Sequence, residues 1–310
     1  MRRFLPLAAL FTGLSLTPAF AWWDAGHMQI AYLAYKQLDP VVKERVDALL
    51  RLNPDYASWT AGAPSGAEKT YAFVHAATWA DDIKTKPDYY NDQVTDSTAK
   101  QIVPNGHLKH SYWHFKDVLF SPDNTPLPAP DPVDAVMQLK AMLAKLPASA
   151  NSSDDLKSYC LVWTLHLVGD LHQPLHAVQR HTAGIPKGDR GGNEEHVIPA
   201  TGENIVLHAY WDRMFGGYSS VFGAIFDADD RGGLASVSPD AGKAEILDPD
   251  AWAQESFDLA KQYAYAAPVR TDRTPVELTR DYETNARNVA RSQAALAAAR
   301  LANVLNQSLR

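Results

Sequence analysis

The stretch that most constrains this chain is residues 163–177, WTLHLVGDLHQPLHA. His166 and Asp170 lie four apart, so a helix carries them on one face. Around them run Leu161, Val162, Trp163, Leu165, Leu167, Val168, Leu171 and Leu175. A helix this apolar belongs in a core, and polar groups it carries inward need partners. An unsatisfied buried polar group costs about 1–3 kcal/mol, and a lone carboxylate costs more. A cation would remove that cost; so would two core histidines with a salt-bridged aspartate, and on this stretch alone the two readings balance. Pro174 breaks or kinks the helix and frees His176 to point away from the face of His166 and Asp170. His172, between them, is the first histidine to be tested as ligand or packing.

Residues 1–21 read as a secretory signal: Arg2 and Arg3 at the start, a largely apolar run to Leu16, and Ala19-Phe20-Ala21 as a small-x-small cleavage site. The run is too short, and too interrupted by Pro6, Gly13 and Pro18, to span a bilayer. Export to the periplasm or the outside is expected, with residues 22–310 as one mature domain beginning at Trp22. Without Arg2 and Arg3, 27 basic side chains face 36 acidic ones, a poor balance for binding duplex nucleic acid by counterion release. The one cysteine, Cys160, excludes an internal disulfide and reads as a buried, inert thiol.

Apolar spacing predicts helices over residues 22–38, 41–52, 71–83, 133–146, 207–215, 251–267 and 276–309, beside the helix of the opening stretch. In the last, Val289, Leu296, Leu301, Val304 and Leu305 are the expected buried positions. Residues 84–110, 123–132 and 216–240 read as irregular. A short hairpin is expected over residues 195–207, turning at Thr201-Gly202. The fold class is therefore all-α, a single compact multi-helix domain with at most a short β-hairpin.

Further polar residues stand in apolar or aromatic settings: Asp81 in TWADDI, His114 in YWHFKD, His27 after Gly26, and His208 with Asp212 in LHAYWD, which repeats the four-residue spacing. Taken singly, each is more often structural than catalytic. Together they offer imidazole and carboxylate without thiolate, a donor set that suits zinc in an exported protein.

The ordered set WWDAGH, TWADDI, YWHFKD, HLVGDLHQPLHA, GGN, LHAYWD and RLANVLN resembles the S1/P1 nucleases, the zinc-dependent type I nucleases, over the whole mature chain. The lack of disulfides is more like a bacterial member. The resemblance implies the fold shared by these nucleases and zinc-dependent phospholipase C, and a cluster of three Zn2+. One zinc would take Asp81, His114, His166 and Asp170. A second would take His176, His208 and Asp212. The third would take His27, Asp170 as a bridge, and the amine and carbonyl of Trp22, a ligand created by signal cleavage. Trp23 has no ligand role and reads as packing; His75, His107, His110, His172, His181 and His196 read as surface or packing.

The resemblance further implies an endonuclease acting on single-stranded RNA and DNA, leaving 5′-phosphates, with 3′-nucleotidase activity on nucleotides. Metal-activated water would attack phosphorus, oriented by Asp81, while Lys84 stabilises charge on the phosphate. Phe115 would stack on a base, Asp117 would accept from its edge, and Asn193 would shape the cleft. No membrane anchor after cleavage and no obligate protein partner are implied. The rivals are a zinc-dependent phospholipase C and a non-catalytic zinc-binding protein. Asp rather than Glu at position 212, and the 32-residue step from His176 to His208, favour the nuclease; Lys84, Phe115 and Asp117 beside the ligands speak against an inactive protein.

Overall fold

A computed structural model describes residues 22–104, 106–216 and 218–310; the expected signal sequence lies outside them. Among the described residues, the chain forms α1 (Asp24–Gln37), α2 (Pro40–Leu50), α3 (Tyr56–Thr60), α4 (Glu68–Ala76), α5 (Trp79–Asp82), α6 (Ala135–Leu143), α7 (Asp154–Asp170), α8 (Leu207–Asp212), α9 (Val221–Asp229), α10 (Ala241–Ala244), α11 (Pro249–Leu259) and α12 (Arg280–Leu309). Among the same residues, five strands of two or three residues are β1 (Leu119–Phe120), β2 (Gln179–Arg180), β3 (His196–Ile198), β4 (Ile205–Val206) and β5 (Val276–Glu277). The class is all-α, and among the described residues no helix is long and apolar enough to cross a membrane.

The central element is α7. The Ser153 hydroxyl accepts the Leu156 amide at 3.2 Å, and Asp154 and Asp155 occupy the first turn, where a hydroxyl cap and negative charge both stabilise a helix start. From Lys157 to Asp170 every residue is buried, as expected of a helix apolar on all sides. It packs against α1, α2, α5, α6 and α12. Its 0 %-exposed Trp163, Leu165, Leu167 and Val168 each contribute about 1.5–3 kcal/mol by leaving water. The helix ends at Asp170, and Pro174 opens a separate 3-10 turn, Pro174–Ala177. That break delivers His176 in a different direction from His166 and Asp170. Cys160 is buried, with its thiol pushed up to about 12 by burial.

Several local expectations need correction. The single helix expected over residues 71–83 is two, α4 and α5, separated at Ala77-Thr78. The Asp81 amide bonds to Thr78 O rather than Ala77 O, which leaves the Ala77 carbonyl available to the site. Residues 216–240 are not all loop: Ser220 caps α9 through the Gly223 amide. Short α3 and α10 also form where no helix was expected. The closing helix begins at Arg280, capped by Thr279, because Val276 and Glu277 pair in parallel with Val197 and Ile198 of β3. In α12, Leu296, Leu301, Val304 and Leu305 are buried, but Val289 is only partly so.

The hairpin is present, with His196 opposite Val206 and Val197 opposite Ile205. Gly202 turns it at φ 78°. β5 makes it a three-stranded sheet, and β1 and β2 form a separate parallel pair. These small pairings pin the loops that close over the end of α7.

Candidate metal centre

Three groups of buried donors lie together: His114, His166 and Asp170; His27, Asp81 and His166; and His176, His208 and Asp212. Within each, the donor atoms lie within 4.8 Å of one another. Asp170 joins them. Its Oδ2 is 3.1 Å from His114 Nδ1 and 3.3 Å from His166 Nε2, while Oδ1 is 3.3 Å from His27 Nε2 and 3.8 Å from His176 Nδ1. Asp81 Oδ1 is 3.7 Å from both His114 Nδ1 and His166 Nε2. His208 Nε2 is 3.2 Å from His176 Nε2 and 3.4 Å from Asp212 Oδ2.

The rings are aimed by the backbone. His166 Nδ1–H donates to Ala77 O at 2.7 Å, His176 Nδ1–H to His114 O at 2.8 Å, and His208 Nδ1–H to Gly191 O at 2.7 Å. A carbonyl can only accept, so each Nδ1 carries a proton, and each ring, when neutral, turns an Nε2 lone pair inward. Gln173 Nε2 donates to Asp212 Oδ1 at 2.8 Å, leaving Oδ2 of that carboxylate to the cluster. Gly169 is required by close approach: a Cβ there would fall 2.7 Å from His27 Nδ1. Neither the three carbonyls nor Gln173 stood out as site parts in the sequence, although Gln173 sits between the histidines of the opening motif.

This arrangement fits a cation better than any protein partner. Both His27 ring nitrogens, His114 Nε2, Asp81 Oδ2, Asp170 Oδ1 and Asp212 Oδ2 are buried with no hydrogen-bond partner, a concentration that native interiors otherwise avoid. Burial works against every charged form here, and the groups answer differently. Burial and the neighbouring His166 lower His27 to about 4. Burial likewise lowers His114 and His208 to about 3, with Lys84 and His176 respectively adding to the effect. Burial pushes Asp212 well up. Burial also opposes charge on His166, but Asp170 and Asp81 overcome it and raise the ring to about 9. For Asp81, burial is outweighed by Lys84 and His166, which hold it at about 2. Oxygen and imidazole donors without sulfur suit zinc.

The described end of the chain is tied to the same place. Trp22 is fully buried, its indole N–H donates to Gly169 O at 3.0 Å, and its ring meets Phe215 edge-on at 4.8 Å. The Trp23 amide donates to Asp212 O at 3.1 Å, and Arg213 covers its ring.

A cleft of about 340 Å³ opens above the donors, lined by Lys84, His114, Phe115, Asp117, His176, Arg190, Asn193 and His208 among others. Lys84 Nζ lies 2.6 Å from Asp81 Oδ1. Phe115 sits 6.2 Å from the His176 ring. Burial, with Asp131 and Asp189 nearby, raises Asp117 to about 7. Asn193 Nδ2 donates to Arg190 O at 2.8 Å, so its amide is tied back into its own loop. A second cavity, of about 380 Å³, is lined by Asp81 together with Trp23, Asp24, Asp82 and Tyr218. Burial and Asp24 raise Asp82 to about 6.

None of His75, His107, His110, His172, His181 and His196 belongs to a donor group among the described residues. His110 pairs with Asp92 at 2.6 Å and stacks on Trp113 at 3.6 Å. Buried His172 is fully partnered.

An all-α fold that converges buried imidazoles and carboxylates on the end of one core helix, beneath an open cleft, defines a helical protein with a candidate multinuclear metal centre. The sequence profile of the S1/P1 nuclease family matches residues 22–310, and the chain belongs to that family. It is 25% identical over 232 residues to "Nuclease S1" of Aspergillus oryzae, a match covering 71% of this chain and 64% of that protein. The chain thus spans a little under two thirds of the length of that relative.

Proposed function

We propose that this protein is a zinc-dependent phosphodiesterase, an endonuclease that hydrolyses single-stranded RNA and DNA to 5′-phosphate products and also removes 3′-phosphates from nucleotides. The observation that carries the reading is the buried, outwardly unsatisfied donor cluster at the floor of a cleft that also presents Lys84, Phe115 and Asp117. Three Zn2+ are assigned: to Asp81, His114, His166 and Asp170; to His176, His208 and Asp212; and to His27, Asp170 and the Trp22 terminus. The two differently directed oxygens of Asp170 support its bridging assignment. The ties from Trp22 to Gly169 and from Trp23 to Asp212 support a terminal ligand made by cleavage after Ala21, in an exported protein of the periplasm or exterior.

Bound zinc supplies an acidified water and neutralises phosphate charge. The protein's own groups do the remaining work. Lys84 fixes one oxygen of Asp81, so the other, unpartnered oxygen is free to accept a hydrogen bond from the attacking water and orient it. The Lys84 ammonium favours the growing negative charge on the phosphate. Phe115 offers a face to one unpaired base, worth about 1–3 kcal/mol and available only in a single strand. Asp117, when ionised, accepts from amino groups on the base edge. Asn193, bound to its own loop, shapes the wall of the cleft.

The test is hydrolysis of single-stranded RNA, single-stranded DNA, 3′-nucleotides and phosphatidylcholine by purified mature protein, with and without chelator, alongside N-terminal sequencing and a metal count. Chelator-sensitive cleavage of both nucleic acids, three zincs and a start at Trp22 are expected. Zinc-replete protein that leaves both strands intact would end the nuclease reading, and cleavage of the lipid alone would replace it with a phospholipase.

A further inference from the structure

Three consecutive residues in the loop above β3 have left-handed backbone: Arg190 at φ 56°, Gly191 at φ 62° and Gly192 at φ 83°. Glycine adopts this region freely. Arginine does so at a cost, and such strain persists only where the surroundings over-determine it. Here they do. Fully buried Asp189 accepts the amides of Arg180 at 2.8 Å and Gly191 at 3.1 Å on one oxygen, and the Tyr265 hydroxyl on the other. Buried Arg180 donates to Glu195 at 2.6 Å and lies over the Tyr265 ring at 4.1 Å.

This framework holds Gly191 O against His208, but that contact needs only backbone, and a glycine at position 190 would supply it without strain. What the arginine adds is its side chain. It is exposed, it lines the 340 Å³ cleft with Lys84, Phe115 and Asp117, and among the described residues its guanidinium has no hydrogen bond or ion pair. Its charge reaches Asp117, where it favours the ionised form.

We infer that Arg190 forms a second phosphate subsite, binding the 5′-phosphate of the nucleoside whose base rests on Phe115. This rests on the nuclease reading. If the bond broken is that between phosphorus and the O3′ of this nucleoside, its one remaining phosphate position is the 5′ carbon. A guanidinium is suited to it, because its planar fork meets two phosphate oxygens at once. The subsite makes the cleft favour internal positions of a strand over a nucleoside that carries a 3′-phosphate alone.

The experiment measures KM and kcat of zinc-loaded protein for adenosine 3′-phosphate and adenosine 3′,5′-bisphosphate, reading release of the 3′-phosphate. Wild type should show the lower KM for the bisphosphate, by roughly 10- to 100-fold, the range for hydrogen bonds to a charged group. Arg190→Ala should lose that preference, and Arg190→Lys should keep part of it. Arg190→Gly removes the backbone strain as well as the side chain; it should melt no lower than wild type and still lose the preference, which separates binding from folding. An unchanged preference in all three variants, or an equal rise in KM for both substrates, overturns the subsite while leaving the nuclease reading intact. Wild-type protein that hydrolyses neither nucleotide nor single strands overturns both.

Discussion

His166 and His172 are both buried histidines at the same end of α7, six residues apart, and they have opposite fates. Around His172 everything is satisfied. Its Nδ1–H donates to Val168 O at 2.7 Å, its Nε2 accepts from Arg300 at 3.0 Å, and Arg300 is paired with Glu255 through both carboxylate oxygens. Trp252 lies alongside. Around His166, nitrogens face nitrogens and carboxylates across about 3 Å with too few protons between them. Burial is the same in both places. The difference is whether the polar inventory closes, and only the open set calls for a cation.

The strongest test of that contrast is to alter one member on each side. Asp170→Asn should remove zinc from more than one position and bring hydrolysis of single-stranded DNA to background. His172→Gln should keep the full metal count and its turnover. A wild-type metal count in Asp170→Asn would break the comparison outright. If Asp81 has the proposed roles of ligand and water-orienting group, Asp81→Asn should cost roughly 10²–10⁴-fold in kcat.

Stability divides the two regions next. Exhaustive chelation should lower the melting temperature, because metals bound only to the folded state stabilise it by about 4 kcal/mol at a free concentration 1,000 times the dissociation constant. Zinc should restore it. Arg300→Met should cost about 1–3 kcal/mol, since buried His172 and partly buried Glu255 lose their hydrogen-bond partner, and added zinc should not repair the loss. Chemical denaturation of each form with and without zinc separates these cases; zinc rescue of Arg300→Met would show that the two clusters are not independent.

Smaller effects are expected in the cleft. Phe115→Ala should weaken binding of single strands by about 1–3 kcal/mol with little change in metal content, measured by competition. Asp117 has a pH signature. Its carboxyl is raised to about 7 by burial and by Asp131, Asp189 and Asp134, against Arg190. A group with a raised folded pKa holds its proton in the native state while the unfolded chain has lost it, so its contribution to stability falls as pH rises from about 4 to about 7 and is flat above. Binding runs the other way, because only the carboxylate accepts from base amino groups. Discrimination between adenine and uracil nucleotides should therefore strengthen as pH rises through about 7 and lose that dependence in Asp117→Asn. A flat profile in wild type would remove Asp117 from base recognition.

Much of the site was legible in the sequence because helical spacing is a local property. His166 and Asp170, and His208 and Asp212, share faces by arithmetic alone, and Pro174 had to stop the helix before His176. Less of the surrounding chain was legible. Residues 71–83 carry one apolar pattern, yet the break at Ala77-Thr78 that frees a carbonyl for His166 follows from packing against α7. Val276 and Glu277 read as helix until β3, almost 80 residues earlier, offers an edge to pair with. Residues 216–240 read as loop, yet Ser220 caps α9 there, and Phe222 and Phe226 of that helix are exposed.

The sequence by itself determined the donor types, their helical pairing and the apolar frame that makes them costly, since these depend on residue identity and on spacing within single elements. The family resemblance had already divided the histidines into ligands and packing, but the physical ground for that division came only from the tertiary structure. That distinction rests on carbonyls and side chains brought from elsewhere in the chain: Ala77 O for His166, Gly191 O for His208 and Arg300 for His172. Hydrogen-bond satisfaction is a property of three-dimensional neighbours, and those neighbours lie 17 to 128 residues away in sequence.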